Sequence, residues 1–272
     1  MATYIQLAFQ DISTEQSDIL VAQLSEIGFN GFEEEKNSLH AFILTNDFIE
    51  TAVNEIAAGQ QLSFTQSTIE DTNWTAVWES NFQPVIIDDF VGIRADFHVP
   101  ITGVEQDIVI TPKMSFGTGH HATTYLMIKQ MREIDFAGKS VIDFGTGTGL
   151  LAILAEKLGA ASVLAIDYDE WSIENAAENL ANNNCSKFVL KQADNAAGNE
   201  QVDIILANIN KQVIHDNFSL LVKTLLPSGL LLFSGLLETD EMDILEEAGK
   251  NSLHLRRKIV LNKWIALLFY RY

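Results

Sequence analysis

The run Val141-Ile-Asp-Phe-Gly-Thr-Gly-Thr-Gly149, followed at once by Leu150-Leu-Ala-Ile, is the strongest constraint on what this chain can fold into. Val141 and Ile142 read as the end of a buried strand, and 150–158 reads as an apolar helix. The glycines therefore fill a strand-to-helix turn, where a residue without Cβ can take positive φ and bring its backbone close to a ligand. A turn of this kind belongs to an open α/β sheet, which binds ligands beyond the carboxyl ends of its strands. The surrounding sequence has the required alternation. Strand signals at 140–144, 162–167, 188–191, 202–209 and 230–234 are interleaved with helix signals at 150–158, at 172–184, up to about Leu226, and at 241–248. The last two strand signals differ: 253–261 and 264–270 are joined by a turn at Asn262 with no helix between them, which predicts an antiparallel hairpin added to a parallel sheet.

Upstream the pattern is of another kind. Residues 4–9 read as a strand, and Ser13 and Thr14 as cap and first turn of a helix that Gly28 stops. Short runs at 31–35 and 39–44 flank Lys36-Asn37-Ser38 as a hairpin, 47–58 is an amphipathic helix, and 62–65 is a closing strand. The order βαββαβ is the split βαβ, ferredoxin-like plan. We therefore expect a small ferredoxin-like α+β domain over 1–68, a linker helix over 69–81 carrying Trp74 and Trp78, and a Rossmann-like α/β domain over 82–272.

The chemistry of the turn follows from its departures from the dinucleotide pattern. That pattern places its third glycine at the sixth position, here Leu150. Glycines instead fall at Gly145, Gly147 and Gly149, with Asp143 two residues before the first. An acid beside such a turn suits a ligand without pyrophosphate that carries a cationic amino group, and S-adenosylmethionine is such a ligand. A parallel sheet finished by an antiparallel hairpin is also the plan of the common methyltransferase sheet. Asp167, at the end of the next strand, is placed to accept ribose hydroxyls, though that feature alone fits a nicotinamide cofactor equally. Asn208 ends another strand and is aimed at the same crevice, while Asp169 reads as a helix cap. Upstream, Phe116-Gly117-Thr118-Gly119-His-His-Ala-Thr-Thr124 is a glycine-bearing loop entering a helix, placed to fold over a cofactor. His120 and His121 are adjacent and diverge on a helix start, and the other histidines are scattered, so no metal site is expected.

Composition narrows the classes further. With 47% hydrophobic residues in 272, the core needs no metal or disulfide to hold it, and Cys185 has no intrachain partner. Acids number 37 against 17 lysines and arginines, a net charge of −20 that repels nucleic-acid phosphates and favours basic partners. No signal-peptide pattern opens the sequence, and its longest apolar region is broken by Pro227 and Gly229. A cytoplasmic protein without membrane attachment is expected.

Taken in order, FGTGHHATT, VIDFGTGTGLLAI, AIDYDEWSIENAAEN and DIILANI resemble the bacterial ribosomal protein L11 methyltransferases. The Asn73-Trp-x-x-x-Trp78 element and SGLLE at 234–238 match that family too. Thr111-Pro-Lys-Met114 departs from its more usual Asp-Pro-Gly-like stretch. The resemblance implies methyl transfer from S-adenosylmethionine, with S-adenosylhomocysteine as product, to lysine side-chain and N-terminal amines of a basic large-subunit ribosomal protein. It puts cofactor contacts on Thr124, Gly145, Asp167 and Asn208, and sets Phe116 and the Gly117, Thr118, Gly119 loop beside the transferred methyl. For orienting the amine, the candidates are the Asn208 side-chain oxygen and the Ile209 carbonyl. A methyltransferase of another protein or a small molecule, a nicotinamide-dependent oxidoreductase and a non-catalytic binding module are the competing readings.

Overall fold

The computed structural model describes residues 3–35, 37–70, 83–111, 117–196 and 200–272. The chain divides into two compact units, Met1–Ser80 and Asn81–Tyr272. In the first, β1 (Thr3–Gln10), α1 (Thr14–Glu26), β2 (Gly31–Glu35), β3 (Ser38–Leu44), α2 (Glu50–Gly59) and β4 (Phe64–Glu70) follow the expected βαββαβ order. Alternation along β1 buries Ile5, Leu7 and Phe9 on one face. Ser13 starts α1 with a capping box, its hydroxyl taking the Gln16 N–H while the Gln16 side chain returns to the Ser13 N–H. The sheet runs β2-β3-β1-β4 with every neighbouring pair antiparallel, which is the ferredoxin-like arrangement.

Two elements differ from expectation in their boundaries. Helix α2 begins at Glu50 rather than at 47, because Asp47 is used in a turn, its N–H bonding the Leu44 carbonyl at 2.9 Å. Strand β4 continues to Glu70, beyond the expected division at 68. Pairing with β1 from Phe9↔Phe64 to Thr3↔Glu70 supplies partners for a polar stretch whose sequence does not advertise a strand. Residues 69 and 70 of the expected linker helix are thus strand, and 71–81, with Trp74 and Trp78, lie outside the described residues.

The second unit opens with β5 (Val85–Ile87), β6 (Val91–Arg94) and β7 (Gln106–Val109), a three-stranded sheet of their own. Then come α3 (Ala122–Met131), β8 (Ser140–Phe144), α4 (Leu150–Lys157), β9 (Ser162–Asp167), α5 (Glu170–Asn182), β10 (Phe188–Gln192) and β11 (Val202–Asn208). They are followed by α6 (Lys211–Thr224), β12 (Leu225–Leu237), α7 (Glu241–Lys250), β13 (Leu253–Leu261) and β14 (Trp264–Arg271). The main sheet has the order β10-β9-β8-β11-β12-β14-β13, parallel through β12, with β14 antiparallel to both its neighbours. Helix α6 ends two residues earlier than expected. Leu225 is already extended, and Pro227 disfavours a helical Leu226, so β12 starts where the helix stops. Asn262 and Lys263, both at positive φ, form the tight β13–β14 turn.

Ile205, Phe218, Phe233 and Phe269 are among the buried residues that join the central strands to α6. The outer strand β13 carries Arg256, Arg257 and Lys258, charges that discourage pairing by a further strand. Strand order reverses between β8 and β11, so a crevice opens beyond their carboxyl ends. Among the described residues no helix is long and apolar enough to cross a membrane.

Candidate functional site

The first side of the crevice is built where β8 turns into α4. Gly145, Gly147 and Gly149 all have positive φ, at 76°, 52° and 79°. Gly149 is the helix N-cap and has no side chain to offer. Asp143 does that work instead: its Oδ2 accepts the Ala152 N–H at 3.1 Å and the Thr146 hydroxyl at 2.6 Å. Its other oxygen, Oδ1, is buried with no hydrogen-bond partner. Burial pushes the Asp143 carboxyl up to about 7, against the pull of those two hydrogen bonds. Asp167 closes β9, and its Oδ2 takes the Gly147 N–H at 2.9 Å while Oδ1 takes the Asp169 N–H at 3.1 Å. Burial raises its pKa as well. Asp169 caps α5 as expected, through the Ser172 N–H.

The opposite side comes from β11 and β12. Asn208 is the last residue of β11, in register with Ser234, and its Oδ1 is buried without a partner. Ile209, next in the chain, is held between two glycines. A Cβ on Gly145 would come within 2.2 Å of Ile209 Cγ2, and one on Gly235 would come within 2.2 Å of the Ile209 carbonyl oxygen. Gly235, at φ 82°, therefore permits the close approach that sets the Ile209 peptide.

The upstream loop meets the same turn. Gly117, at φ 107°, accepts the Thr148 hydroxyl on its carbonyl at 2.7 Å. A Cβ on Gly119 would strike Ile93 Cδ1 at 2.6 Å, so glycine is needed there to seat the loop on β6. Thr118 Oγ1 lies 3.3 Å from His120 Nδ1, and His120 Nε2 lies 2.9 Å from the Gln83 carbonyl. His121 is the N-cap of α3, and burial lowers its pKa to about 4. Thr124 sits in the first turn of that helix, 1% exposed, its hydroxyl buried and unpaired. Phe116 lies outside the described residues. Among the described residues, no group of three or more His, Cys, Asp or Glu is arranged to hold a metal ion.

Three buried side-chain oxygens without partners, Thr124 Oγ1, Asp143 Oδ1 and Asn208 Oδ1, thus belong to residues that sequence reasoning had already singled out. A buried acceptor left unpaired costs roughly 1–3 kcal/mol, so such a set favours a ligand rich in donors. With the Asp143 and Asp167 carboxyls on the same side, the set also favours positive charge and disfavours pyrophosphate. This set of acceptors suits the ammonium and ribose hydroxyls of S-adenosylmethionine, and its carboxylates suit the sulfonium charge.

The comparisons with known proteins identify the family. A family profile described as ribosomal protein L11 methyltransferase (PrmA) matches residues 6–271. The chain belongs to this family. Ribosomal protein L11 methyltransferases of Porphyromonas gingivalis and Bacteroides fragilis are each 37% identical to it, covering 98% and 93% of this chain and 97% and 93% of their own. A crystal structure of the ribosomal protein L11 methylase from Lactobacillus delbrueckii subsp. bulgaricus superposes with a TM-score of 0.65 at 29% identity, over 70% of this chain and all of that one. Two positions of this L11 methyltransferase family member were missed as individual site residues. Thr148 donates its hydroxyl to the Gly117 carbonyl, and Gly235 admits the close approach of the Ile209 carbonyl. Thr148 lies within the glycine turn and Gly235 within β12, so membership of an element already marked by its pattern was the available signal.

Proposed function

We propose that this chain transfers methyl groups from S-adenosylmethionine to lysine side-chain and N-terminal amines of ribosomal protein L11, in the cytoplasm. The observation that carries the proposal is that the Thr124, Asp143 and Asn208 side chains each keep a buried oxygen without a partner, Asp143 and Asn208 at the carboxyl ends of β8 and β11. When bound, S-adenosylmethionine supplies a methyl carbon made electrophilic by its sulfonium and leaves as S-adenosylhomocysteine. Asp143 would hold the cationic amino group, Asp167 the ribose, and the positive-φ glycines would let the backbone approach. A lysine amine must be neutral to attack, which costs about 4.6 kcal/mol near pH 7. Exclusion of water lowers that cost by disfavouring the ammonium. Asn208 Oδ1 and the Ile209 carbonyl would accept the N–H groups of the amine and aim its lone pair along the S–CH₃ axis. The proton released after transfer passes to solvent.

The first 68 residues hold ten acids against Lys36 alone, and we assign this acidic unit to docking a basic substrate protein. The test is radiolabelled methyl transfer to purified L11, with mass spectrometry of L11 from cells having and lacking this enzyme. Identical L11 masses in the two cells, with no label transferred in vitro, would sink the assignment.

A further inference from the structure

Helix α5 and its C-cap bury Asn175, Asn179 and Asn183, each no more than 8% exposed. Asparagine is a poor helix former and its amide is costly to desolvate, so packing alone would not select it at three positions along one inward face. What Asn179 and Asn183 bind explains those two. Asn183 Oδ1 accepts the Val109 N–H at 2.9 Å, and its Nδ2 donates to the Val109 carbonyl at 2.6 Å. One side chain thus satisfies both backbone groups of a residue, as a neighbouring strand would. One helical turn earlier, Asn179 Oδ1 accepts the Thr111 N–H at 2.7 Å. Four helical residues rise about 6 Å and two strand residues about 6.7 Å, so successive turns of α5 meet alternate residues of the extended segment. The Thr111 hydroxyl is held too, donating to Glu178 at 3.0 Å and lying 3.4 Å from Asn182 Nδ2.

Asn179 reaches the glycine turn at the same time. Its Nδ2 donates to the Thr148 carbonyl at 2.9 Å and to Asn175 Oδ1 at 2.6 Å. Thr148, fully buried, donates its own hydroxyl hydrogen bond to the Gly117 carbonyl. Thr111 and Gly117 are therefore both referred to Asn179, one directly and the other through Thr148.

We infer that Asn179 and Thr148 are positioning residues for methyl transfer: they hold Thr111 and the 117–119 loop in register with the glycine turn. This rests on the methyltransferase reading of the crevice. Neither side chain bonds to Asp143 or Asp167, whose hydrogen bonds survive their removal. The relay should therefore act on turnover more than on cofactor affinity.

The variants that test it are Thr148→Val, which deletes the hydroxyl at nearly constant shape, Thr148→Ser, which restores it, Asn179→Ala, and the double variant Thr148→Val/Asn179→Ala. Melting temperature, calorimetric affinity for S-adenosylhomocysteine, and kcat and KM for L11 are measured for each. We expect Thr148→Val to keep its cofactor affinity within about threefold while kcat falls at least about tenfold, since small misplacements of reacting groups cost that much. Thr148→Ser should recover most of the loss, and the double variant should be little worse than the worse single variant. Unchanged kcat in Thr148→Val, losses that multiply in the double variant, or a loss carried wholly by cofactor affinity would overturn the relay. If the unaltered enzyme binds no S-adenosylmethionine, the functional reading itself has failed; normal binding with unaltered turnover in Thr148→Val removes the relay alone.

Discussion

Asp167 Oδ2 lies 2.9 Å from the backbone nitrogen of Gly147, so the carboxylate suited to the ribose also fastens the glycine turn. An ionised carboxylate has about four acceptor positions, and the Gly147, Asp169 and Tyr168 N–H groups leave room for a ligand hydroxyl. Asp167→Ala should therefore do two things. It should weaken S-adenosylhomocysteine binding at least about tenfold, as charge-assisted hydrogen bonds of about 1.5–3 kcal/mol are lost. It should also speed hydrogen exchange at the Gly147 N–H in the absence of ligand. Titration calorimetry and exchange mass spectrometry read the two effects separately, and an unchanged dissociation constant would remove Asp167 from the site.

Asp143 predicts a pH dependence. Folding raises its pKa from 3.8 to about 7, chiefly by desolvation. Its contribution to stability is therefore complete below about pH 4 and is lost as pH rises through 7. A cation bound beside it reverses the preference, because the ionised carboxylate is then favoured. S-adenosylhomocysteine, which keeps the ammonium, should bind more tightly at about pH 8 than at about pH 6. Asp143→Asn should flatten both the melting-temperature slope between about pH 4 and 7 and the pH dependence of affinity. Parallel slopes in the two proteins would show that another group titrates.

Gly145 is constrained by Ile209. Gly145→Ala places its Cβ within 2.2 Å of Ile209 Cγ2 at a positive φ, and overpacking of this kind costs about 1–3 kcal/mol. Adding Ile209→Ala removes the struck methyl and should return part of that stability in urea titrations, leaving only the backbone strain. If the double variant is no more stable than Gly145→Ala, the contact does not set the glycine requirement.

The acidic first unit predicts a salt effect. A protein beginning at Asn81 retains Asp143, Asp167 and Asn208 and should bind S-adenosylmethionine nearly as the full chain does, yet methylate intact L11 poorly. In the full chain, kcat/KM for L11 should fall as ionic strength rises, because screening weakens the encounter. Full activity of the shortened protein on intact L11 would show that the pocket alone selects its substrate.

The parts legible in the sequence were those written in local pattern. The places of Gly145, Gly147, Asp167 and Asn208 at strand ends could be read because each ends or follows a strand whose apolar run is plain. The βαββαβ order could be read for the same reason. Element limits set by distant partners were not legible. Strand β4 reaches Glu70 because β1 offers it a full-length partner, and β12 begins at Leu225 because β11 pairs there. The asparagines of α5 read as an ordinary polar helix face. Nothing in their spacing shows that the backbone they serve lies some seventy positions earlier in the chain.

The place of β14 has a consequence for the chain as it is made. Hydrogen bonded between β12 and β13, β14 is the last strand of the main sheet to be synthesised, and β12 has no partner on that side until it arrives. At elongation rates of about 5–20 residues per second, the wait lasts a few seconds. Throughout that time the unpaired edge of β12, with Leu231, Leu232 and Phe233, faces the surroundings of a newborn polypeptide. A nascent chain arrested after Leu261 should accordingly be cut by protease along β12, and a released chain that includes β14 should resist. The sheet thus cannot close until β14 has been made, and in that interval the chain is a client for whatever shields apolar strand edges near the ribosome exit.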